Sequence, residues 1–68
     1  SSYYELMVME MISKLKDPIH RTILYRLYIL CEPLQEVADK IHYTYNYTCT
    51  LHGYALNEID NVEAEITS

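Results

Sequence analysis

The chain has 68 residues, enough for one small domain, spanning 1–68, whose modest core leaves it marginally stable. Half of the residues are hydrophobic, with one Gly and two Pro, which excludes a disordered segment. Ten acidic residues against five basic ones give a net charge of −5, and this excludes a protein that holds polyanions by charge alone. Four helical segments follow in chain order, with no strand pattern that finds a partner. Ser2-x-x-Glu5 fits a capping box, in which hydroxyl and carboxylate satisfy free backbone donors. Tyr4, Val8, Met11 and Leu15 then form one stripe, widened by Met7 and Ile12, with Lys14 and Lys16 at the negative pole of the helix. Asp17-Pro18 opens the second helix, since Asp caps well and Pro at the first position loses no bonded N–H. Ile19, Ile23, Leu27 and Leu30 face one way, and Leu24, Tyr28 and Cys31 broaden that face. The third helix begins near Pro33, with Leu34, Val37, Ala38 and Ile41 at i, i+3, i+4 and i+7.

His42 and Tyr43 interrupt that pattern. Thr44 can cap a new helix, because its hydroxyl can accept a free backbone N–H. Thr48, Leu51, Ala55, Ile59 and Val62 repeat after it at helical spacing, into the 60s. A short helix, a tight break and a capped second helix are the layout of a helix-turn-helix at about 33–57. In such a unit the second helix often lies in the DNA major groove. Alternation of Tyr43, Tyr45 and Tyr47 also suits a strand, but a lone strand cannot satisfy its backbone. Gly53 inside the fourth helix implies a close helix–helix approach there, because it costs up to ~1 kcal/mol relative to Ala. Val37, Ala38, Leu51, Ala55, Leu24 and Leu27 are expected among the most buried side chains.

Arg21-x-x-Leu24, Arg26-Leu27-Tyr28-Ile29, Glu36-Val37-Ala38-x-x-Ile41, Tyr43-Thr44 and Leu51-His52-Gly53-Tyr54-Ala55-Leu56 occur in this order across 17–56. In order and spacing they resemble region 4 of bacterial sigma factors, and most of all a group of phage-encoded regulators with a similar C-terminal domain. The Leu-His-Gly-x-Ala-Leu ending is the most telling piece. The resemblance implies an all-α four-helix fold and a DNA-binding transcription regulator of phage or prophage type, acting in the cytoplasm of a bacterial host. It implies double-stranded DNA as partner, with RNA polymerase as a further one. It places base reading at the start of the fourth helix, where sigma factors carry mostly Arg, Glu and Gln. Here the cap is Thr44, the outward residues are Tyr45, Asn46, Cys49 and Thr50, Tyr47 lies nearby, and Thr48 matches a core position. Two positions depart from the family pattern: Cys31 stands where relatives usually have Gly, and Pro33 where they usually have a Ser or Thr cap.

None of the outward residues carries a charge. Asn46 can read adenine with two hydrogen bonds, Thr50 can meet a thymine methyl or a phosphate, and the tyrosines can reach phosphates. An A·T-leaning site is therefore accessible to this chemistry, without the guanine-reading Arg. Lys40 is the one cation after residue 33, and Glu58, Asp60, Glu63 and Glu65 repel a phosphate backbone. The isolated domain is thus expected to bind DNA weakly. The alternative reading is a degenerate helix-turn-helix that acts as a protein-interaction module, docking on RNA polymerase or dimerising through the apolar first two helices. The aromatic content is eight tyrosines with no Trp or Phe.

Other chemistry is thin. Cys31 and Cys49 form neither a disulfide framework nor a C-x-x-C pair, and read as reduced thiols, one or both buried. His20, His42 and His52 lack the paired spacing of a structural zinc site, although Cys49 and His52 share a helix face. Neither thiol has a basic cluster to lower its pKa, and no nucleophile–base order or phosphate-binding Gly loop is present. These readings point to a non-enzyme without metal or cofactor. No apolar run spans a bilayer and no signal-peptide pattern opens the chain. Asn46-Tyr47-Thr48 matches a glycosylation acceptor only formally. The Ser-Ser start without Met points to a piece of something longer.

Overall fold

Three of the four helices start where the sequence offers a side-chain cap. The computed structural model describes residues 2–67 and contains four α-helices, with no strand among the described residues. In α1 (Tyr3–Ser13), Ser2 Oγ accepts the Glu5 N–H at 3.1 Å. In α2 (Pro18–Leu24), Asp17 Oδ1 accepts the Ile19 N–H at 2.9 Å and Pro18 takes the first position. Helix α3 (Leu34–Ile41) follows the extended Pro33, and α4 (Tyr45–Thr67) runs for 23 residues. At 1.5 Å per residue α4 is about 35 Å long. The molecule's longest dimension is 36 Å, so α4 spans it, and α1, α2 and α3 all pack against it.

The second helix does not continue as an α-helix. Residues Tyr25–Ile29 form a π-helical turn, closed by the Leu30 N–H bonding to the Tyr25 carbonyl at 3.1 Å. One extra residue in that turn rotates the side chains that follow. The expected stripe Ile23–Leu27–Leu30 therefore breaks: Ile23 and Leu24 are buried, Leu27 is half-buried and Leu30 is exposed. Ile29 takes the inward place and packs against the core. The turn ends at Cys31 with φ 57, a left-handed backbone at a residue with a Cβ.

The main core joins α1, α2 and α4 through Ile12, Leu15, Leu24, Ala55 and Val62, with Val8, Ile29 and Ile59 against it. Ile23, Val37, Ala38 and Thr48 are buried outside that cluster, where α3 and α2 meet the first half of α4. Val37, Ala38, Ala55 and Leu24 are thus as enclosed as their spacing implies. Leu27 and Leu51 are not: both are half-buried, Leu27 because of the π turn. Gly53 also differs from expectation. A Cβ built there meets nothing within 4 Å, so no close helix approach accounts for it. Both cysteines are free and exposed, not buried. All eight tyrosines are more than a third exposed.

One carboxylate fastens the α1–α2 corner to α4. Glu58 Oε2 accepts the Lys16 N–H at 2.8 Å, and Glu58 Oε1 meets His20 Nδ1 at 2.8 Å. Arg21 Nη1 donates to the carbonyls of Leu15 at 2.6 Å and Lys16 at 3.3 Å, satisfying acceptors in the turn between α1 and α2. No helix of the described residues is long and apolar enough to cross a membrane.

Candidate nucleic-acid interface

The break between α3 and α4 is built from local backbone chemistry. His42 takes a left-handed conformation, φ 64 and ψ 35, which His tolerates better than most residues. Its N–H and that of Tyr43 return to carbonyls in the last turn of α3, at 3.3 Å on Asp39 and 3.2 Å on Ala38. The chain then reaches Thr44, whose Oγ1 accepts the Tyr47 N–H at 3.1 Å. The Thr44 carbonyl takes both the Thr48 N–H at 2.9 Å and the Thr48 hydroxyl at 2.8 Å. Thr48 is fully buried and its hydroxyl is satisfied, so this first turn is held from both ends.

With Thr48 pointing in, its neighbours point out. Thr44, Tyr45, Asn46, Tyr47, Cys49 and Thr50 are all exposed, as is Lys40 at the end of α3. Tyr43 and Tyr47 pack edge to face with ring centroids 5.1 Å apart, which stiffens the rim of this surface. The i, i+4 spacing of the pair was readable, yet Tyr43 was absent from the sequence-derived set. The Thr50 hydroxyl donates to the Asn46 carbonyl at 3.4 Å. A hydrogen bond with Cys49 holds the Tyr45 phenol above its ordinary pKa. Apart from Lys40, the surface is uncharged and rich in hydrogen-bonding groups.

Lys40 is placed differently from a free phosphate ligand. Its Nζ lies 2.8 Å from Glu32 Oε2 and 3.7 Å from Glu36 Oε1. Arg26 Nη1 reaches both oxygens of the same Glu32, at 3.2 and 3.1 Å. The hydrogen bond from Lys40, then that from Arg26, draws the Glu32 carboxyl below its ordinary pKa, and Glu32 raises the Lys40 ammonium in turn. Glu32 thus ties the π turn to the end of α3 and takes up both cations. The pair Glu36–Lys40 follows from its i, i+4 spacing. Glu32, eight residues from Lys40, carries no such local signal.

Two of the three histidines have side-chain partners. His52 Nε2 lies 3.0 Å from the Tyr28 hydroxyl, and His20 lies between Glu58 and Asp17, 3.6 Å from the latter. No three of His, Cys, Asp and Glu among the described residues converge on a metal-sized site. Searches of family models, curated proteins and solved structures find no match for this chain.

Proposed function

We propose that this chain is the helix-turn-helix domain of a DNA-binding transcription regulator, similar to sigma region 4 and of phage type. Its first two turns of α4 face the major groove of double-stranded DNA. The observation that carries the reading is the α3–His42–Thr44–α4 corner, which leaves Tyr45, Asn46, Tyr47, Cys49 and Thr50 outward on a capped helix start. The resemblance in residue order supports the same assignment, together with action in a bacterial cytoplasm. Asn46 and Thr50 read base edges, and the tyrosine hydroxyls hold phosphates. Affinity is low for the isolated domain, because Glu32 occupies Arg26 and Lys40.

The test is a salt titration of binding to A·T-rich and random duplexes, read by fluorescence anisotropy. Asn46→Ala should cost ~1–3 kcal/mol on the preferred site and little on random DNA. Tyr45→Arg should raise affinity for both and steepen the salt dependence. Lys40→Ala should weaken both duplexes about equally and only slightly, since its charge is already shared with Glu32 and Glu36. A second reading, a protein-interaction module that docks on RNA polymerase or another partner, is favoured by the same neutralised cations. Binding unchanged in both Asn46→Ala and Tyr45→Arg would select it.

A further inference from the structure

Helix α1, from Tyr3 to Met11, and the last turns of α4 leave an apolar groove of about 450 Å³. Val8, Ile12 and Leu15 already serve the core, so the residues lining this groove are surplus to it. Its floor is Leu6, Met7 and Met11 with Ile66 of α4, and Tyr3 stands at its end. Leu6 is 54% exposed, Met7 45% and Ile66 53%, a concentration of large apolar side chains on one patch. Flexible methionines let such a floor mould to a partner. The walls are acidic: Glu10 from α1 and Glu63 from α4.

We propose that this groove docks a basic amphipathic helix of a partner protein. Apolar anchors at i, i+3 or i+4 and i+7 would fill the floor, as in other helix-in-groove complexes. The stretch from Tyr3 to Met11 is about 12 Å long, room for two turns of such a helix. Charge complementarity sets the sign: Lys or Arg beside the anchors meets Glu63, which has no ion-pair partner among the described residues, and Glu10, which its own Lys14 also contacts. A second copy of this chain fits poorly, because four of its five Lys and Arg side chains are already engaged. Lys14 lies 3.2 Å from its own Glu10, Arg21 serves the carbonyls of Leu15 and Lys16, and Glu32 holds Arg26 and Lys40. Nucleic acid and anionic lipid are repelled by the same carboxylates. Glu63 lies about 25 Å along α4 from Tyr47, so this surface is independent of the proposed DNA face.

The probe is a short synthetic Leu/Lys peptide with leucines at i, i+3, i+4 and i+7, set against a Leu/Glu peptide of the same pattern. Isothermal titration at near-physiological salt should show binding of the first and none of the second. Met7→Asp and Glu63→Lys should each weaken the Leu/Lys peptide by about tenfold or more, the scale of an interface anchor. Tyr54→Ala, on the first half of α4, should leave it unchanged. Met7 is half exposed, so its variant keeps the helical circular dichroism, and Leu6→Asp gives a second reading of the same floor. Equal binding of both peptides, no binding of Leu/Lys, or indifference to Met7→Asp would overturn the proposal. So would sedimentation showing a dimer that Met7→Asp disperses, since a second copy would then be the occupant.

Discussion

The first half of α4 turns Tyr45, Asn46, Tyr47, Cys49 and Thr50 to solvent, all uncharged, whereas the second half turns out Asp60 and Glu63. The two halves are also anchored differently. The first is held by the Thr44 cap, buried Thr48 and the α3 residues Val37 and Ala38. The second lies on the larger core of Ile12, Leu15, Leu24, Ala55 and Val62, and is pinned to the α1–α2 corner by Glu58. One helix thus joins a charged and well-cored end to a neutral end whose enclosure is thinner. The comparison separates what stabilises the domain from what it presents.

The strongest test of that division is a pair of truncations. Leu24→Ala, in the main core, should cost ~2–5 kcal/mol in urea unfolding, a large share of the stability of so small a domain. Leu51→Ala, half-buried on the first half of α4, should cost less than ~2 kcal/mol. Equal losses would erase the difference between the halves. Cys31→Gly should add about 1 kcal/mol, because φ 57 strains any residue with a Cβ. For a domain of this size that corresponds to a rise in Tm of roughly 4–8 °C. Gly53→Ala should add up to ~1 kcal/mol, since the new methyl meets only open space. A loss instead would place Gly53 against something that Cβ disturbs.

The smallest effect concerns acid. Glu58 sits below its ordinary pKa of 4.5 because of His20 first and then the Lys16 N–H; Glu32 does so because of Lys40 and then Arg26. On acidification the unfolded chain binds these protons first. The stabilisation is therefore complete above the ordinary carboxylate range and is lost as pH falls through the lower folded values. Solvent access keeps each contribution modest. Glu58→Gln should flatten the acid limb of a stability–pH profile for the cored half, and Glu32→Gln for the α3 end. An unchanged limb in both would remove these carboxylates from the account.

The starts of α1, α2 and α4 were legible in Ser2, Asp17 and Thr44 because a cap acts within three residues of itself. The outward set from Tyr45 to Thr50 was legible for a similar reason, as helical periodicity with Thr48 inward decides it. What long-range packing decides was not. The π turn at Tyr25–Ile29 has no local signature here, and it exchanged Leu27 for Ile29 in the core and left Cys31 outside. The neutralisation of Lys40 escaped for the same reason, since Glu32 reaches it only once α2 and α3 are folded together. Gly53 misled because a helical glycine signals either crowding or open space, and its neighbours in sequence do not distinguish them.

The eight exposed tyrosines have a consequence for how the molecule can be watched. With no Trp, the near-ultraviolet signal belongs to them alone. Most of them are already about half wet in the folded chain, so unfolding changes their exposure less than it would for buried rings. A partner that covers either end of α4 must strip water from the tyrosines there. Intrinsic emission will therefore be a muted gauge of folding and a sensitive gauge of contact, with Tyr3 reporting from one end and Tyr45 and Tyr47 from the other.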